Sequence, residues 1–414
     1  MDFKKRSVVK NMSSVVHNIR CLACDSANTH MALDLGIQPL ANSYKSSSDT
    51  AEDRYPLGVS LCHDCFHLQL THTVDPEIIY KNYLYATGTN KTIQEYSNWF
   101  SKFVKEYTGV SGSILDIGCN DGTQLNYFLD QGFTTYGIDP AKNLHASSSK
   151  RHNVVCDFFG PKAVEQLKTN EYDVIIAQNV FAHNPSPVDF LSSCQQLMSD
   201  NTLLFVQTSQ ADMVLHNEFD TIYHEHINFF NANSMNQLVK RVGLNLIDVI
   251  KTPIHGNSYI FVLSRTQQRP AHVDNIIAME QGAGLLDVDT YVRWNTTVQN
   301  IVNELKSQLE HYKNQGYVLV GYGAAAKGMT LINFSDIYLD FIIDDSPLKQ
   351  GLYTPGTGTS IVSRDHLAQY NETDRLLFVP LAWNFFKEIK STIQATRNNP
   401  QDRFIKYFPC VEIS

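Results

Sequence analysis

Hydrophobic positions in the middle of the chain switch between strand-like runs and helical spacing. GSILDIGCNDGTQLNYFLDQGFTTYGIDPA, from Gly112, passes from a short apolar run through a glycine turn into helix-spaced residues, then into a second apolar run ending at Asp139. YDVIIAQNVFAH (172–183) and NTLLFVQTSQ (201–210) are near-continuous apolar runs closed by polar residues. Such runs predict parallel strands buried on both faces, which deliver a site at their carboxyl edge. In the loop Asp116-x-Gly118-x-Asn120-x-Gly122, glycines let a ligand approach the backbone, and an acid closing the next strand, Asp139, is placed to accept from ribose hydroxyls. VVCDFF (154–159) puts Asp157 and Phe158 where an adenine is bonded and stacked, and Asn179 closes the run from 172.

The last third repeats the pattern. YVRWNTTVQNIVNELKSQLEHYKNQG (291–316) has apolar residues at helical spacing before a glycine stop, so it predicts a long helix. YVLVGYGAAAKGMTLIN (317–333) then reads as strand, glycine turn and helix, with Gly321-x-Gly323-x-x-Ala326 fitting a dinucleotide-type fingerprint. LDFIIDDS ends a strand at Asp344 and Asp345, and LLFVPLAWNF (376–385) ends another near Trp383 and Asn384. KQGLYTPGTG (349–358) is a turn-rich loop able to close over a nucleotide. Such a unit is a phosphate-cradling helix N-terminus, with NAD as the runner-up ligand.

Composition narrows the field. With 414 residues, 43% hydrophobic and 18% charged, the chain is globular and long enough for two or three domains. No run of about 18 apolar residues occurs, and the N-terminal residues lack a signal peptide's apolar core. Together these predict a cytoplasmic protein with no membrane partner. A net charge of -9 argues against nucleic acid. Four of the eight cysteines form CLAC (21–24) and CHDC (62–65), two C-x-x-C knuckles. Cys21, Cys24, Cys62 and Cys65 together fill a tetrahedral zinc shell with no open position, so the site is structural, and His63 and His67 are expected at the surface.

The densest chemistry lies in DTIYHEHINFF (220–230), where Tyr223, His224, Glu225 and His226 are consecutive. Two histidines two residues apart do not make a helical zinc-protease site, which needs a spacing of four. A histidine suits proton abstraction near neutral pH and a tyrosine hydroxyl suits an oxyanion, but the residues alone do not choose between His224 and His226. In an extended strand Tyr223 and His226 point to opposite faces, so an irregular turn is expected.

Taken in order, the zinc knuckles, YLYATG, ILDIGCNDGT, NVFAH, FDTIYHEH, HGNS and GYGAAAKG resemble the sugar C-methyltransferases of antibiotic deoxysugar pathways, over roughly residues 21 to 385. The resemblance implies a zinc-binding N-terminal domain (1–88), a class I S-adenosylmethionine (SAM) methyltransferase domain with a doubly wound sheet (89–265) and a Rossmann-like C-terminal α/β domain (266–414). It implies methylation of C3 on a nucleotide-linked 4-keto-6-deoxysugar, using SAM and structural zinc in a monomer. His226 is then the base, with Tyr223, Glu225, His224 and His183 around it. Asp116, Gly118, Asn120, Gly122, Asp139, Asp157, Phe158 and Asn179 are expected at SAM. Tyr83, Tyr85, Asn257, Tyr259, Gly323, Lys327 and Asn384 are expected at the substrate. VQTSQ and HGNSYIF depart from the family's usual pattern near the expected sugar pocket. The competing readings are an NAD-dependent nucleotide-sugar oxidoreductase, a SAM methyltransferase with another small acceptor, and a noncatalytic zinc scaffold.

Overall fold

The computed structural model describes residues 14–80, 91–209, 211–253 and 258–414, so Tyr83, Tyr85 and Asn257 lie outside the described residues. The N-terminal strands are β1 (Val15–His17), β2 (Thr29–Pro39), β3 (Arg54–Cys62), β4 (Leu68–Leu70) and β5 (His72–Val74). The middle of the chain forms β6 (Ser113–Ile117), β7 (Thr134–Ile138), β8 (Asn153–Val155), β9 (Tyr172–Gln178), β10 (Met198–Thr208), β11 (Asn228–Phe229), β12 (Asn245–Thr252) and β13 (Ser258–Ser264). The C-terminal part forms β14 (Val318–Tyr322), β15 (Phe341–Ile343), β16 (Ile361–Val362), β17 (Leu376–Pro380), β18 (Arg403–Lys406) and β19 (Glu412–Ile413).

The central sheet has the order β12-β13-β10-β9-β6-β7-β8. Strands β6 to β10 run parallel, and β13 lies antiparallel between β10 and β12. The chain steps outward from β6 to β8 on one side and from β9 to β10 on the other. The switch point at the carboxyl ends of β6 and β9 is therefore the expected ligand crevice. Alternate residues fill both faces: Ile175 and Ala177 enter one core, Val174 and Ile176 the other. The run from 172 leaves the sheet at Gln178 because Asn179 takes a left-handed φ of 55°, and Phe181–His183 turns as a 3-10 helix.

The C-terminal sheet, β16-β15-β14-β17-β18-β19, is parallel except for β19 and has its own switch point between β14 and β17. The N-terminal sheet has the order β11-β4-β3-β2. Its edge strand β11 comes from the middle of the chain and begins two residues after His226. One core joins these parts: Leu33, Leu57 and Val59, then Phe219, Ile222 and Phe229, then Trp294 and Leu305 of the helix Val288–Asn314, then Leu319 and Ile342. The long helix is thus a shared spine, and the segment carrying YHEH is clamped between N- and C-terminal sheets. Among the described residues no helix is long and apolar enough to cross a membrane.

Candidate active site

The YHEH segment is a turn, held by what surrounds it. Ile222 N–H donates to Phe219 and His226 N–H to Tyr223, while buried Phe219, Ile222, Ile227 and Phe229 anchor it in the core. Ile227 N–H donates to the Ala182 carbonyl and Leu70 N–H to that of Ile227, which ties the turn to both neighbouring sheets. The turn sorts the four polar side chains into pairs. Tyr223 and His226 are half-buried, and their rings meet at 4.2 Å between centroids. His224 and Glu225 are buried, 2% and 7% exposed.

His226 has a defined proton arrangement. Its Nδ1 lies 3.0 Å from the Thr221 carbonyl, which only accepts, so Nδ1 carries the proton. The Thr221 and Ser209 hydroxyls flank the same nitrogen at 3.3 and 3.5 Å. Nε2 then holds the lone pair, which accepts from the Tyr223 hydroxyl at 2.8 Å. The His183 ring stands 5.1 Å from that of His226, and burial holds its pKa down at about 4, so it is neutral at pH 7. A fixed imidazole base beside a hydroxyl donor and a neutral imidazole suits removing a proton next to a carbonyl and holding the oxyanion that results.

His224 points toward the N-terminal sheet, with Nε2 3.4 Å from the Tyr55 carbonyl and its ring edge-on to Tyr55; burial holds it down at about 4. Glu225 Oε1 accepts from Asn42 Nδ2 at 2.5 Å, and burial pushes its pKa up to about 7. The start of the segment faces the C-terminal switch point. Trp383 Nε1 donates to Asp220 Oδ2 at 2.8 Å, Lys327 Nζ lies 5.4 Å from the Trp383 ring centroid, and Thr330 Oγ1 donates to the Ile222 carbonyl at 3.1 Å. Burial raises Glu218 to about 8 and Asp220 to about 6, with Lys327 opposing both shifts.

At the central switch point Gly118 and Gly122 have φ of 78° and 84°, and a Cβ on Gly118 would meet the Val180 side chain at 3.1 Å. This is a cradle that only glycine fits, which is what SAM requires of its loop. Asp139 accepts from the Asn120 and Ala141 amides at 2.9 and 2.8 Å, which stiffens the loop, and buried Asp116 sits beneath it with a raised pKa from burial and then Asp139. Asp157, Phe158 and Asn179 are exposed, and the Asn179 N–H donates to the Gln207 carbonyl.

The four knuckle cysteines converge with all sulfurs within 4.8 Å, and Cys21–Cys65 and Cys24–Cys62 are 3.5 and 3.6 Å apart. A zinc–sulfur bond of about 2.3 Å puts the sulfurs of a tetrahedron roughly 3.8 Å apart, so this donor set fits zinc and leaves no position for chemistry. His67 is not at the surface: it is fully buried, its Nε2 3.1 Å from Asn228 Oδ1 and its ring tilted against Phe230 at 4.4 Å between centroids. The reason is that β4 is covered by β11, which spacing in the sequence does not reveal.

Of the residues expected at the substrate, Gly323 and Lys327 lie at the C-terminal switch point, and Asn384 is exposed just beyond β17. Tyr259 is buried, with its hydroxyl bonded to Glu280. The loop 349–358 is fastened to the N-terminal part, with Lys45 and Tyr353 exchanging backbone hydrogen bonds and Gly356 N–H donating to Glu52. Sequence reasoning missed Thr221, Ser209 and Asn42 as partners. Thr221 sits inside the quoted motif, but Asn42 is 183 positions from Glu225 and gives no local signal.

Three family matches cover most of the chain: "Putative zinc binding domain" over 21–80, "Methyltransferase domain" over 90–249 and "C-methyltransferase C-terminal domain" over 253–409. The C-methyltransferase NovU of Streptomyces niveus is 26% identical over 394 residues, 91% of this chain and 93% of that protein. Together the three matches give the chain a zinc-binding, methyltransferase and C-methyltransferase C-terminal architecture. It is a SAM-dependent C-methyltransferase with a class I fold and an N-terminal zinc-type cysteine cluster. This C-methyltransferase is also 26% identical to the ubiquinone biosynthesis O-methyltransferase of Leptothrix cholodnii, over 27% of this chain and 49% of that protein. Among solved structures, the 1,6-didemethyltoxoflavin-N1-methyltransferase of Burkholderia thailandensis, with S-adenosylhomocysteine bound, covers 49% of this chain and 97% of its own at 15% identity, with a TM-score of 0.38.

Proposed function

We propose that this C-methyltransferase methylates C3, the carbon beside the ketone, of a nucleotide-linked 4-keto-6-deoxysugar. The observation that carries the reading is the His226–Tyr223 pair, a base with its lone pair fixed at Nε2 and a hydroxyl 2.8 Å from it. Nε2 takes the C3 proton while electron density moves onto the C4 carbonyl oxygen. The Tyr223 hydroxyl, released from Nε2 as that nitrogen is protonated, donates to the enolate oxygen. SAM, which the Gly118–Gly122 loop would hold, would supply an electrophilic methyl to the enolate carbon and leave as S-adenosylhomocysteine.

The remaining residues position these groups. Thr221's carbonyl keeps the imidazole in one tautomer, and general-base catalysis of this kind contributes about 10²–10⁴ in rate. His183 is neutral and next to the base, so it adds no charge repulsion when His226 becomes imidazolium. Lys327 and the Trp383 ring, at the C-terminal switch point, offer a cation and an aromatic face to the nucleotide's diphosphate and base. Cys21, Cys24, Cys62 and Cys65 would hold zinc as a structural ion.

The test is mass spectrometry of the protein incubated with SAM and thymidine- or guanosine-diphosphate-linked 4-keto-6-deoxysugars in deuterated water. Gain of one methyl on one donor supports the reaction and names the nucleotide. Protein that binds SAM yet methylates none of the donors refutes the substrate class.

A further inference from the structure

The face of the central sheet packed under the helix Lys91–Thr108 carries an apolar stripe that turns polar at its end. Val174 and Ile176 of β9 and Phe205 of β10 belong to that core, together with Phe100 and Val104 of the helix. Side chains alternate along a strand, so the next positions on the same face are Gln178 and Gln207, which pair directly in register across β9 and β10. Gln207 is fully buried, yet neither its Nε2 nor its Oε1 has a hydrogen-bond partner among the described residues. Gln178 Oε1 receives the Tyr96 hydroxyl at 3.1 Å, which turns its amide nitrogen away, and that nitrogen is also buried without a partner.

Native proteins seldom leave a buried amide unpaired, because its lost hydration is not returned. Two such amides side by side, at the carboxyl edge where ligands bind, point to a partner that arrives with the ligand. Their chemistry is neutral, with donors and an acceptor, which suits a hydroxyl or amino group and not a phosphate. Their place favours the acceptor over the cofactor. Gln207 is two residues before Ser209, whose hydroxyl flanks His226 Nδ1, and β9, which carries Gln178, stands between β10 and the strand that leads into the glycine loop.

We infer that Gln207 and Gln178 form a specificity pair that reads a hydroxyl or amino substituent of the acceptor sugar. The inference rests on the sugar-methylation reading above, and two arms keep the failures apart. The first arm needs no acceptor: Gln207→Leu, close in shape, removes an unpaired amide, and the ligand-free variant should melt about 2–6 °C above wild type. A lower melting temperature would mean that the amide has a partner inside the fold, which overturns the inference. The second arm is steady-state kinetics on the acceptor that the wild type methylates. The KM for acceptor should rise about tenfold or more in Gln207→Leu, with kcat and the KM for SAM within about twofold.

An unchanged acceptor KM overturns the pair's role, and a raised KM for SAM alone assigns the pair to the cofactor instead. A wild-type enzyme that methylates no ketosugar sinks the proposed function, while the melting arm still judges whether the amides are unpaired.

Discussion

Replacing Glu225 by glutamine should stabilise the protein, and more so as pH rises. The carboxyl is 7% exposed, and burial lifts its pKa from 4.5 to about 7 against a single opposing hydrogen bond from Asn42. A carboxyl whose folded pKa lies above its unfolded value contributes stability that is complete below the unfolded value and lost as pH climbs through the folded one. With 4.5 and 7 as the two values, ionisation costs the folded state about 1 kcal/mol at pH 5.5 and about 3 kcal/mol at pH 8. Glutamine keeps an oxygen for Asn42 Nδ2 and removes the charge. The stability gain of Glu225→Gln over wild type should therefore grow by about 2 kcal/mol between these pH values. Urea unfolding of both proteins at each pH measures it. A gain that is the same at pH 5.5 and 8, or a loss at both, refutes the claim that this carboxyl is held in a desolvated site.

Cys62→Ser should bind no zinc by elemental analysis where wild type binds one ion per chain, and should lower the melting temperature by several degrees. The cysteines pack in the same core as Phe230 and the central sheet, and Asn233 and Arg241 bond to knuckle carbonyls, so loss of the metal should reach beyond the knuckles. Gly118→Ala should cost about 1–2 kcal/mol from its left-handed φ and weaken SAM binding by calorimetry at least tenfold, because the new Cβ meets Val180; equal affinity would remove this loop from the cofactor site. Trp383→Phe deletes the donor to Asp220 while keeping a ring beside Lys327. It should raise the KM for the nucleotide-linked acceptor several-fold and leave SAM affinity alone.

Much of this could be read from the chain because its signals are local. The strand-glycine-helix units announce themselves by unbroken apolar runs next to glycines, and Gly118, Gly122 and Gly323 all adopt the positive φ that only glycine takes readily. The two knuckles were legible since each C-x-x-C pair is a local chelate, and the four thiols do converge. The expected irregular turn at YHEH is present: Tyr223 and His226 meet, while His224 turns to Tyr55. What stayed hidden depends on distant or main-chain partners. The proton on His226 is placed by a carbonyl, which has no sequence signature. The pairing of β11 with β4, which buries His67 and fixes the turn, joins segments about 160 positions apart. Gln207 looked like the polar end of a strand, and only its register against Gln178 shows an unpaired amide.

The central claim is that His226 Nε2 removes the proton beside the ketone. Mass spectrometry of solvent deuterium uptake into the ketosugar, in the presence of S-adenosylhomocysteine so that no methyl can transfer, measures that step alone. Wild type and His224→Gln should exchange one C3 proton, and His226→Ala should lose exchange by about 10²–10⁴ while keeping its zinc and its SAM affinity. Exchange at the wild-type rate by His226→Ala, or its loss in His224→Gln with the fold intact, contradicts the assignment.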